Sequence, residues 1–336
     1  MNNTDKIYNL AVAGVQRLIP YKAGKPIEEL ERELGRNRII KLASNENPLG
    51  PGKKALAAIQ ASLSALALYP DGSGFMLKQA LAEKYAVDVS QITLGNGSNE
   101  ILELVARAFL TPDHEVVFSQ HAFAVYPIVT QAVGATAVVV PALNYGHDLD
   151  AMLQAVTGKT RLVFIANPNN PTGTLLSQAS LECFMSSLPD TCVCVLDEAY
   201  FEFVSSVESI NSIDWLKKFP NLLVTRTFSK AYGLAGLRVG YGLSSPQMAD
   251  ILNRVRQPFN NNTLALVAAE AALGDDEHLQ KTITVNALGM RQLTDGFKNL
   301  SLEWIPSAGN FVSVDLKKAG QPIYEALLRK GVIVRP

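Results

Sequence analysis

The chain has 336 residues, 48% of them hydrophobic, which is enough to bury the core of one large domain or of one large and one small domain. Its 30 basic and 31 acidic side chains leave a net charge of −1, so no long-range field would attract nucleic acid or an anionic membrane. We therefore expect small molecules and other protein chains as partners. No targeting segment is evident, and we expect a cytoplasmic protein.

Three regions follow one another along the chain. Residues 1–45 are predicted to form a separate polar arm, residues 46–245 a large domain, and residues 246–336 a smaller α+β domain. From about residue 90, short β-branched runs alternate with amphipathic segments, which predicts an α/β fold with a mostly parallel sheet and helices on both faces. Seven runs are predicted to be its strands: Ile92–Leu94, Val116–Phe118, Ala137–Val140, Leu162–Ile165, Val193–Leu196, Leu222–Thr225 and Arg238–Gly242. Polar residues follow several of them, at the end of the sheet where such folds bind ligands.

Two features that would suggest a membrane or metal protein have simpler explanations. No Asp, Glu, Lys or Arg lies between Glu115 and Asp148, but Pro127 and Gly134 interrupt the stretch, which favours a buried helix followed by a strand. The histidines show neither the spacing of two ligands on one helix face nor a nearby cysteine pair. We therefore predict no membrane span and no metal site.

The turn Gly97-Ser98-Asn99 directly follows a predicted strand and opens a helix predicted to run to about Leu110. The free N–H groups of a first helical turn and the positive end of the helix dipole suit an anion such as a phosphate. A glycine turn capped by Ser98 explains the same residues equally well, so the turn alone does not establish a site.

The loop from Asn167 to Gly173 reads Asn-Pro-Asn-Asn-Pro-Thr-Gly and follows the apolar run Leu162–Ile165. Its two prolines restrict the backbone, so we expect a stiff loop that holds an asparagine amide in a fixed direction. An ordinary turn rich in asparagine and proline is the alternative.

The segment Asp197-Glu198-Ala199-Tyr200 ends the run Val193–Leu196. A carboxylate that leaves a buried strand is costly unless it meets a cation or strong hydrogen-bond donors, so Asp197 is expected to have a specific partner. An aspartate that only caps the next segment is the alternative.

The segment Thr227-Phe228-Ser229-Lys230 follows another predicted strand, and Gly233, Gly236 and Arg238 come shortly after it. A lysine flanked by hydroxyl groups and followed by an arginine is suited to form a Schiff base beside a phosphate site. A surface lysine without a function is the alternative.

Taken together, the four segments resemble those of the fold-type-I pyridoxal-phosphate aminotransferases, almost from one end of the chain to the other. The segments Tyr21-Lys22-Ala23-Gly24-Lys25-Pro26 and Leu42-Ala43-Ser44-Asn45-Glu46-Asn47-Pro48-Leu49-Gly50 are similar to the histidinol-phosphate aminotransferase branch. The resemblance implies amino-group transfer between L-histidinol phosphate and 2-oxoglutarate, in histidine biosynthesis. An aromatic amino-acid aminotransferase, a threonine-phosphate decarboxylase and a relative that only binds the cofactor are the alternatives.

The resemblance also implies a role for individual residues toward pyridoxal 5'-phosphate. Lys230 would carry the cofactor as a Schiff base and move the proton, and Asp197 would pair with the pyridine nitrogen. Asn170 and Tyr200 would hydrogen-bond the phenolic oxygen, and Phe123 would lie against the ring unless it is a plain core residue. The cofactor phosphate would be held by Gly97, Ser98, Asn99, Thr227, Ser229 and Arg238.

Further residues would act at the edge of the site. Tyr69 resembles a tyrosine that reaches the phosphate from the neighbouring subunit, which implies a homodimer with shared active sites. Tyr21 and Asn47 would belong to an arm that closes over the substrate, and Arg335 would face the anionic end of the substrate.

Two features depart from the family pattern. Many relatives have aspartate where this chain has Asn99, which removes one negative charge beside the expected phosphate site. Relatives also continue beyond Pro336 with a segment that contains a further arginine for the substrate carboxylate. We therefore expect either an omitted tail or a small domain that is incomplete at its end and uses 2-oxoglutarate poorly.

Overall fold

The structure is a computed structural model that describes residues 3–21, 23–35, 38–205 and 207–336, with side chains from residue 6 onward. Lys22, part of one of the segments named above, lies outside the described residues. The helices are α1 (Asn3–Leu10), α2 (Ala13–Gln16), α3 (Ile27–Leu34), α4 (Lys53–Ser62), α5 (Phe75–Tyr85), α6 (Ser98–Phe109), α7 (Val125–Ala132), α8 (Leu149–Gln154), α9 (Gln178–Ser187), α10 (Pro246–Val255), α11 (Thr263–Leu273), α12 (Asp276–Asn299) and α13 (Gly320–Arg329). The strands are β1 (Ile40–Lys41), β2 (Ile92–Gly95), β3 (Glu115–Ser119), β4 (Thr136–Val140), β5 (Thr160–Ala166), β6 (Val193–Asp197), β7 (Leu222–Thr227), β8 (Gly240–Leu243), β9 (Glu303–Ile305), β10 (Ser313–Asp315) and β11 (Val332–Ile333).

The described residues form a seven-stranded sheet in the order β2-β8-β7-β6-β5-β3-β4. Strand β8 runs antiparallel to both of its neighbours, and the other neighbouring pairs are parallel. The seven predicted strands all occur, with ends within two residues of the expected positions. The predicted fold class, a mostly parallel sheet in an α/β fold, is confirmed.

Helices cover both faces of this sheet, because neighbouring residues of the central strands point in opposite directions. One face packs on α4, α5, α9 and α11 through Ala55, Leu77, Leu181, Ala265, Val163, Ile165, Leu196 and Val224. The other face packs on α6, α7 and α10 through Ile101, Val105, Tyr126, Met248, Leu252, Leu162, Phe164, Val195 and Leu223. Side chains on both sides of residue 245 thus share one core, and the predicted domain bounds stay a prediction.

Part of the predicted arm is not separate from the rest of the chain. Strand β1 pairs in parallel with β11, with Ile40 opposite Val332. Leu30, Ala43 and Ile333 form a small buried cluster beneath this pair. The arm is therefore joined to the C-terminal region from about residue 27, an arrangement that two-residue strands do not reveal in sequence.

The uncharged stretch before Asp148 forms α7 and β4, as expected for a buried helix followed by a strand. In the part of the chain that the structure describes, no helix is long and apolar enough to cross a membrane. Nor do three or more His, Cys, Asp or Glu side chains lie together in a metal-binding group among the same residues.

Candidate active site

The four segments singled out in the sequence meet at one edge of the central sheet. Strands β5, β6 and β7 end there side by side, with Ala166 opposite Asp197 and Asp197 opposite Thr225. Strand β8 begins at the same edge, where Gly240 lies opposite both Gly95 and Thr227. The carboxyl ends of parallel strands therefore bring residues from distant parts of the chain together.

An arginine and two hydroxyl side chains form a pocket beside the start of α6. Gly97 has φ 77° and ψ 163°, a conformation that is essentially restricted to glycine. Any Cβ at Gly97 would clash with the Arg238 guanidinium. Arg238 donates to Ser229 Oγ at 3.3 Å, and the Ser229 N–H donates to Thr227 Oγ1 at 3.1 Å. These four residues form a cationic pocket suited to an anion.

Ser98 and Asn99 both lie in the first turn of α6, but only Ser98 is buried. Its backbone nitrogen packs so closely against Gly240 that a Cβ on that glycine would clash with it. Asn99 is exposed. The first N–H groups of a helix have no acceptor within the helix, so this turn adds donors to the pocket.

Lys230 lies close to this pocket and is mostly buried. Its Nζ donates to the Ser44 carbonyl oxygen at 2.9 Å and lies 5.8 Å from the centre of the Tyr200 ring. Burial lowers the pKa of the Lys230 ammonium from its ordinary 10.5 to about 8, and the charge of Glu46 opposes this shift. A larger fraction of the side chain is therefore a neutral amine near neutral pH, as a nucleophile requires.

The Tyr200 hydroxyl accepts two hydrogen bonds, from Asn170 Nδ2 and from Asn45 Nδ2, each at 3.0 Å. The Phe311 ring meets the Tyr200 ring edge to face, with centres 5.0 Å apart. Burial raises the pKa of Tyr200, so the phenol keeps its proton. Sequence reasoning assigned no role to Asn45, whose φ of 54° is a conformation that asparagine tolerates better than most residues.

Asp197 is buried and accepts hydrogen bonds from two side chains and from the backbone N–H of Ala199. Tyr126 donates its hydroxyl proton to Oδ2 at 2.8 Å, and Thr225 Oγ1 donates to Oδ1 at 3.1 Å. Burial raises the pKa of Asp197, and these hydrogen bonds oppose that effect. Asp197 was expected to have a specific partner, and Tyr126 is one that the sequence did not identify. Phe123 is half-buried and meets Tyr126 edge to face, with ring centres 5.8 Å apart.

Three further predicted residues lie outside this cluster of contacts. Asn47 donates from Nδ2 to the Ala231 carbonyl oxygen at 2.9 Å and to Thr282 Oγ1 at 3.0 Å. It therefore ties its loop to the residue after Lys230. Tyr21 and Arg335 are both exposed and contact each other, with Arg335 Nη2 3.4 Å from the Tyr21 hydroxyl.

Tyr69 is highly exposed, with 83% of its surface accessible. Its ring stacks on Phe259, with centres 4.8 Å apart. Within its own chain, the Tyr69 ring thus packs on another exposed aromatic side chain, which lies on the segment before α11.

Comparison with known proteins identifies the family. The model of the family "Aminotransferase class I and II" matches residues 37–336. The chain belongs to this family. Histidinol-phosphate aminotransferase 2 of Pseudomonas fluorescens is 60% identical to the aminotransferase described here, over 97% of this chain and 89% of that protein. Histidinol-phosphate aminotransferase 1 of Nitrosococcus oceani is 56% identical, over 98% of this chain and 89% of that protein.

A solved structure gives the same result for the fold of the aminotransferase. Histidinol-phosphate aminotransferase from Sinorhizobium meliloti, in complex with pyridoxal 5'-phosphate, superposes with a TM-score of 0.91 at 32% identity. The match covers 97% of this chain and 89% of that one. The resemblance to the histidinol-phosphate aminotransferases that was predicted from the sequence is confirmed.

Proposed function

We propose that this aminotransferase moves an amino group between L-histidinol phosphate and 2-oxoglutarate, with pyridoxal 5'-phosphate as its cofactor. The observation that carries the proposal is the identity of 54–60% to histidinol-phosphate aminotransferases, over nearly the whole chain. The names of these relatives support histidinol phosphate as the amino donor, rather than an aromatic amino acid or threonine phosphate. The proposed role in histidine biosynthesis is the reason to infer a cytoplasmic location.

The residues at the sheet edge suit pyridoxal 5'-phosphate along its whole length. The Arg238 guanidinium, the hydroxyls of Thr227 and Ser229, and the start of α6 suit a phosphate dianion. Lys230 offers an amine, and the Asp197 carboxylate suits a protonated pyridine nitrogen. When bound, the cofactor supplies an electron sink for the pair that is left when the amino donor loses a proton.

Lys230 is proposed to move that proton. Its lowered pKa, about 8, lets the side chain both accept and return a proton near neutral pH, which is the requirement for a general acid and base. The Ser44 carbonyl oxygen, 2.9 Å from Nζ, holds the side chain before it reacts. Lys230 is the residue on which the proposed activity depends most.

Tyr200 and Asn170 are proposed to contact the phenolic oxygen of the cofactor. Because the amides of Asn170 and Asn45 occupy both acceptor positions of the Tyr200 hydroxyl, its proton is left to be donated elsewhere. Asn170 Nδ2 carries a second hydrogen that can reach the same oxygen. Phe123 is proposed to lie against the ring, and Gly97, Ser98 and Asn99 to surround the phosphate.

The active site is proposed to be shared across a homodimer, with Tyr69 acting in the neighbouring subunit. Tyr69 lies in a stretch of the sequence, residues 66–76, whose apolar side chains Leu66, Leu68, Phe75 and Met76 are each more than half exposed. Exposed apolar surfaces of this kind are typical of protein interfaces. A second copy of the chain would bury these side chains and bring Tyr69 to a site that it does not reach in its own chain.

The substrate is proposed to be held by Tyr21, Asn47 and Arg335, beside the arm. Tyr21 and Arg335 contact each other at the surface, so a substrate phosphate or carboxylate can reach the arginine from solvent. The arm at residues 1–45, the large unit around the sheet and the smaller C-terminal unit stay the proposed division of the chain.

A donor panel tests the function. Purified protein is incubated with the cofactor, 2-oxoglutarate and one donor, either L-histidinol phosphate, phenylalanine or L-threonine phosphate, while glutamate and carbon dioxide are followed. Glutamate formation mainly from histidinol phosphate is expected, and none with Lys230→Ala. Preference for phenylalanine, carbon dioxide release from threonine phosphate, or no turnover with any donor would each reject the proposal.

A further inference from the structure

We propose that Tyr126 is a positioning residue for the cofactor ring: its hydroxyl holds the Asp197 carboxylate and its aromatic ring supports Phe123, so that both face the pyridine ring. This inference rests on the proposed function, because it needs a pyridine nitrogen for Asp197 to bind. Neither the sequence motifs nor the family resemblance pointed to Tyr126.

The Tyr126 side chain is fixed by its hydrogen bond to Asp197 and by contacts of its ring with two other rings. It is fully buried on α7. Its ring lies parallel to that of Phe164, with an interplanar angle of 3° and centres 4.5 Å apart. The Phe123 ring meets it at 85°. Phe164 belongs to β5, the strand beside the one that ends in Asp197, so the ring is held against the sheet and its hydroxyl is directed to the sheet edge.

The hydrogen bond from Tyr126 to Asp197 occupies one of the acceptor positions of the carboxylate and leaves others for the cofactor. Each carboxylate oxygen can accept about two hydrogen bonds. Oδ2 accepts one from Tyr126, Oδ1 accepts one from Thr225, and the backbone N–H of Ala199 also donates to the carboxylate. The carboxylate thus keeps a position for an incoming N–H group, and the protein donors decide in which direction it lies.

The same hydrogen bond favours the charged carboxylate, because it lowers the pKa of Asp197 against the effect of burial. A buried carboxyl group with too few donors takes up a proton and becomes neutral, and a neutral acid binds a pyridinium cation weakly. Tyr126 cannot exchange roles with Asp197, because burial and the neighbouring carboxylate raise the pKa of the phenol. The phenol therefore stays a donor.

The variant Tyr126→Phe removes the hydroxyl and keeps the ring. The cofactor-free protein is titrated with pyridoxal 5'-phosphate and with an analogue in which a CH group replaces the ring nitrogen, and binding is followed by protein fluorescence. Affinity for the true cofactor is expected to fall by about tenfold, the effect of losing a hydrogen bond to a charged group. Affinity for the analogue should not change, since it offers Asp197 no N–H group.

Tyr241→Phe is the matched control. Tyr241 is as deeply buried, but its hydroxyl pairs with that of Tyr85, at 2.7 Å, and not with Asp197. Any loss of affinity in this variant should be equal for the two ligands. If Tyr126→Phe also weakens both ligands equally, Tyr126 has only a packing role and the inference is wrong.

Two further variants test each half of the inference. In an Asp197→Ala background, Tyr126→Phe should cause no further loss of affinity, and an additive loss would show that the hydroxyl acts through another group. Tyr126→Leu should weaken the analogue as well, because Phe123 loses its support; an effect equal to that of Tyr126→Phe would remove the ring from the proposal.

The wild-type titrations separate this inference from the proposed function. If the wild-type protein binds neither ligand, the cofactor assignment itself fails. If it binds both equally well, Asp197 does not engage the ring nitrogen, and Tyr126 has no charge to position.

Discussion

The sheet edge and the outer edge of the site differ in how completely their side chains are fixed. Asp197 and Tyr200 are 5% and 3% exposed, and each accepts two hydrogen bonds from other side chains. Tyr69 and Tyr21 are 83% and 58% exposed. The proposed cofactor residues are therefore already arranged within one chain, whereas the outer residues would be buried only by the proposed substrate or second subunit.

The difference follows from the elements that carry the two sets. Asp197 is the last residue of β6, and Lys230 comes shortly after β7; both strands pair on both sides and are buried on both faces. The arm contributes a strand of two residues, β1, with one partner strand. Buried, doubly paired strands resist local opening far better than short edge pairs, so the site combines a rigid part with an adaptable one.

Lys230→Arg gives the largest expected effect on the rigid part. Arginine keeps the charge but cannot give up its proton, so turnover should fall by at least about a thousandfold. Steady-state assays of glutamate formation measure it. Lys54→Arg, a change at a surface lysine that contacts the Gly274 carbonyl oxygen, is the control and should keep normal turnover. Substantial activity in Lys230→Arg would mean that another group moves the proton.

Gly97→Ala tests whether the phosphate pocket is as tightly built as the structure indicates. The added Cβ would clash with the Arg238 guanidinium, and the backbone conformation at Gly97 suits only glycine. Cofactor affinity should fall by about tenfold or more, since the arginine must move. Gly236→Ala is the matched control, because a Cβ there meets no atom within 4 Å. Equal affinities in the two variants would contradict the tight pocket.

The side chains that meet at the sheet edge could be selected from the sequence because their signals are local. The strands show as β-branched runs, and Asp197, Asn170 and Lys230 follow them within a few positions. The residues that the sequence did not identify act across long separations in sequence. Tyr126 lies 71 positions from Asp197, and Asn45 lies 155 positions from Tyr200. Such pairs leave no periodic pattern in one sequence, since they depend on which helix packs beside which strand.

The outer part was harder to predict for a related reason. The arm was expected to be separate, yet β1 pairs with β11 across almost the entire chain. Two-residue strands are too short to show an alternation of polar and apolar residues. Asn47 was expected beside the substrate, and its amide is instead engaged with Ala231 and Thr282. That Asn47 also contacts the substrate stays a prediction.

Lys230→Met should raise the free energy of unfolding, because it removes a buried charge from the rigid part of the site. At neutral pH the buried ammonium destabilises the native state, because burial lowers the pKa from 10.5 to about 8. Removing it should stabilise the cofactor-free protein by about 2 kcal/mol, after allowance for the lost hydrogen bond to Ser44. Urea unfolding of the two proteins measures the difference in free energy of unfolding.

The pH dependence of that difference identifies its cause. Between about pH 8 and pH 10.5 the folded wild-type protein has released the Lys230 proton while the unfolded chain still binds it. Wild-type stability therefore rises with pH relative to Lys230→Met, and the advantage of the variant should fade over this range. A constant advantage would show that better packing, and not the relief of a buried charge, explains it.

Mixing two inactive variants tests whether Tyr69 acts in the neighbouring subunit. A dimer of one Lys230→Ala chain and one Tyr69→Ala chain would hold one site with both changes and one with neither. After random reassociation, about a quarter of the wild-type activity should return, since about half of the dimers are mixed. No recovery, under conditions in which tagged chains are shown to exchange, would place Tyr69 outside the partner's site.

Tyr21→Phe should have the smallest effect. It keeps the ring, which lies 5.7 Å from the Arg335 guanidinium carbon, and removes only a hydroxyl that is 3.4 Å from Nη2 of that arginine. Interactions between exposed groups contribute little, so KM for the amino donor should change by less than about threefold and kcat should stay constant. Tyr21→Ala, which also removes the ring, should raise KM further. A tenfold effect of Tyr21→Phe would mean that the hydroxyl binds the substrate directly, and the outer edge would then be as closely fitted to its ligand as the sheet edge.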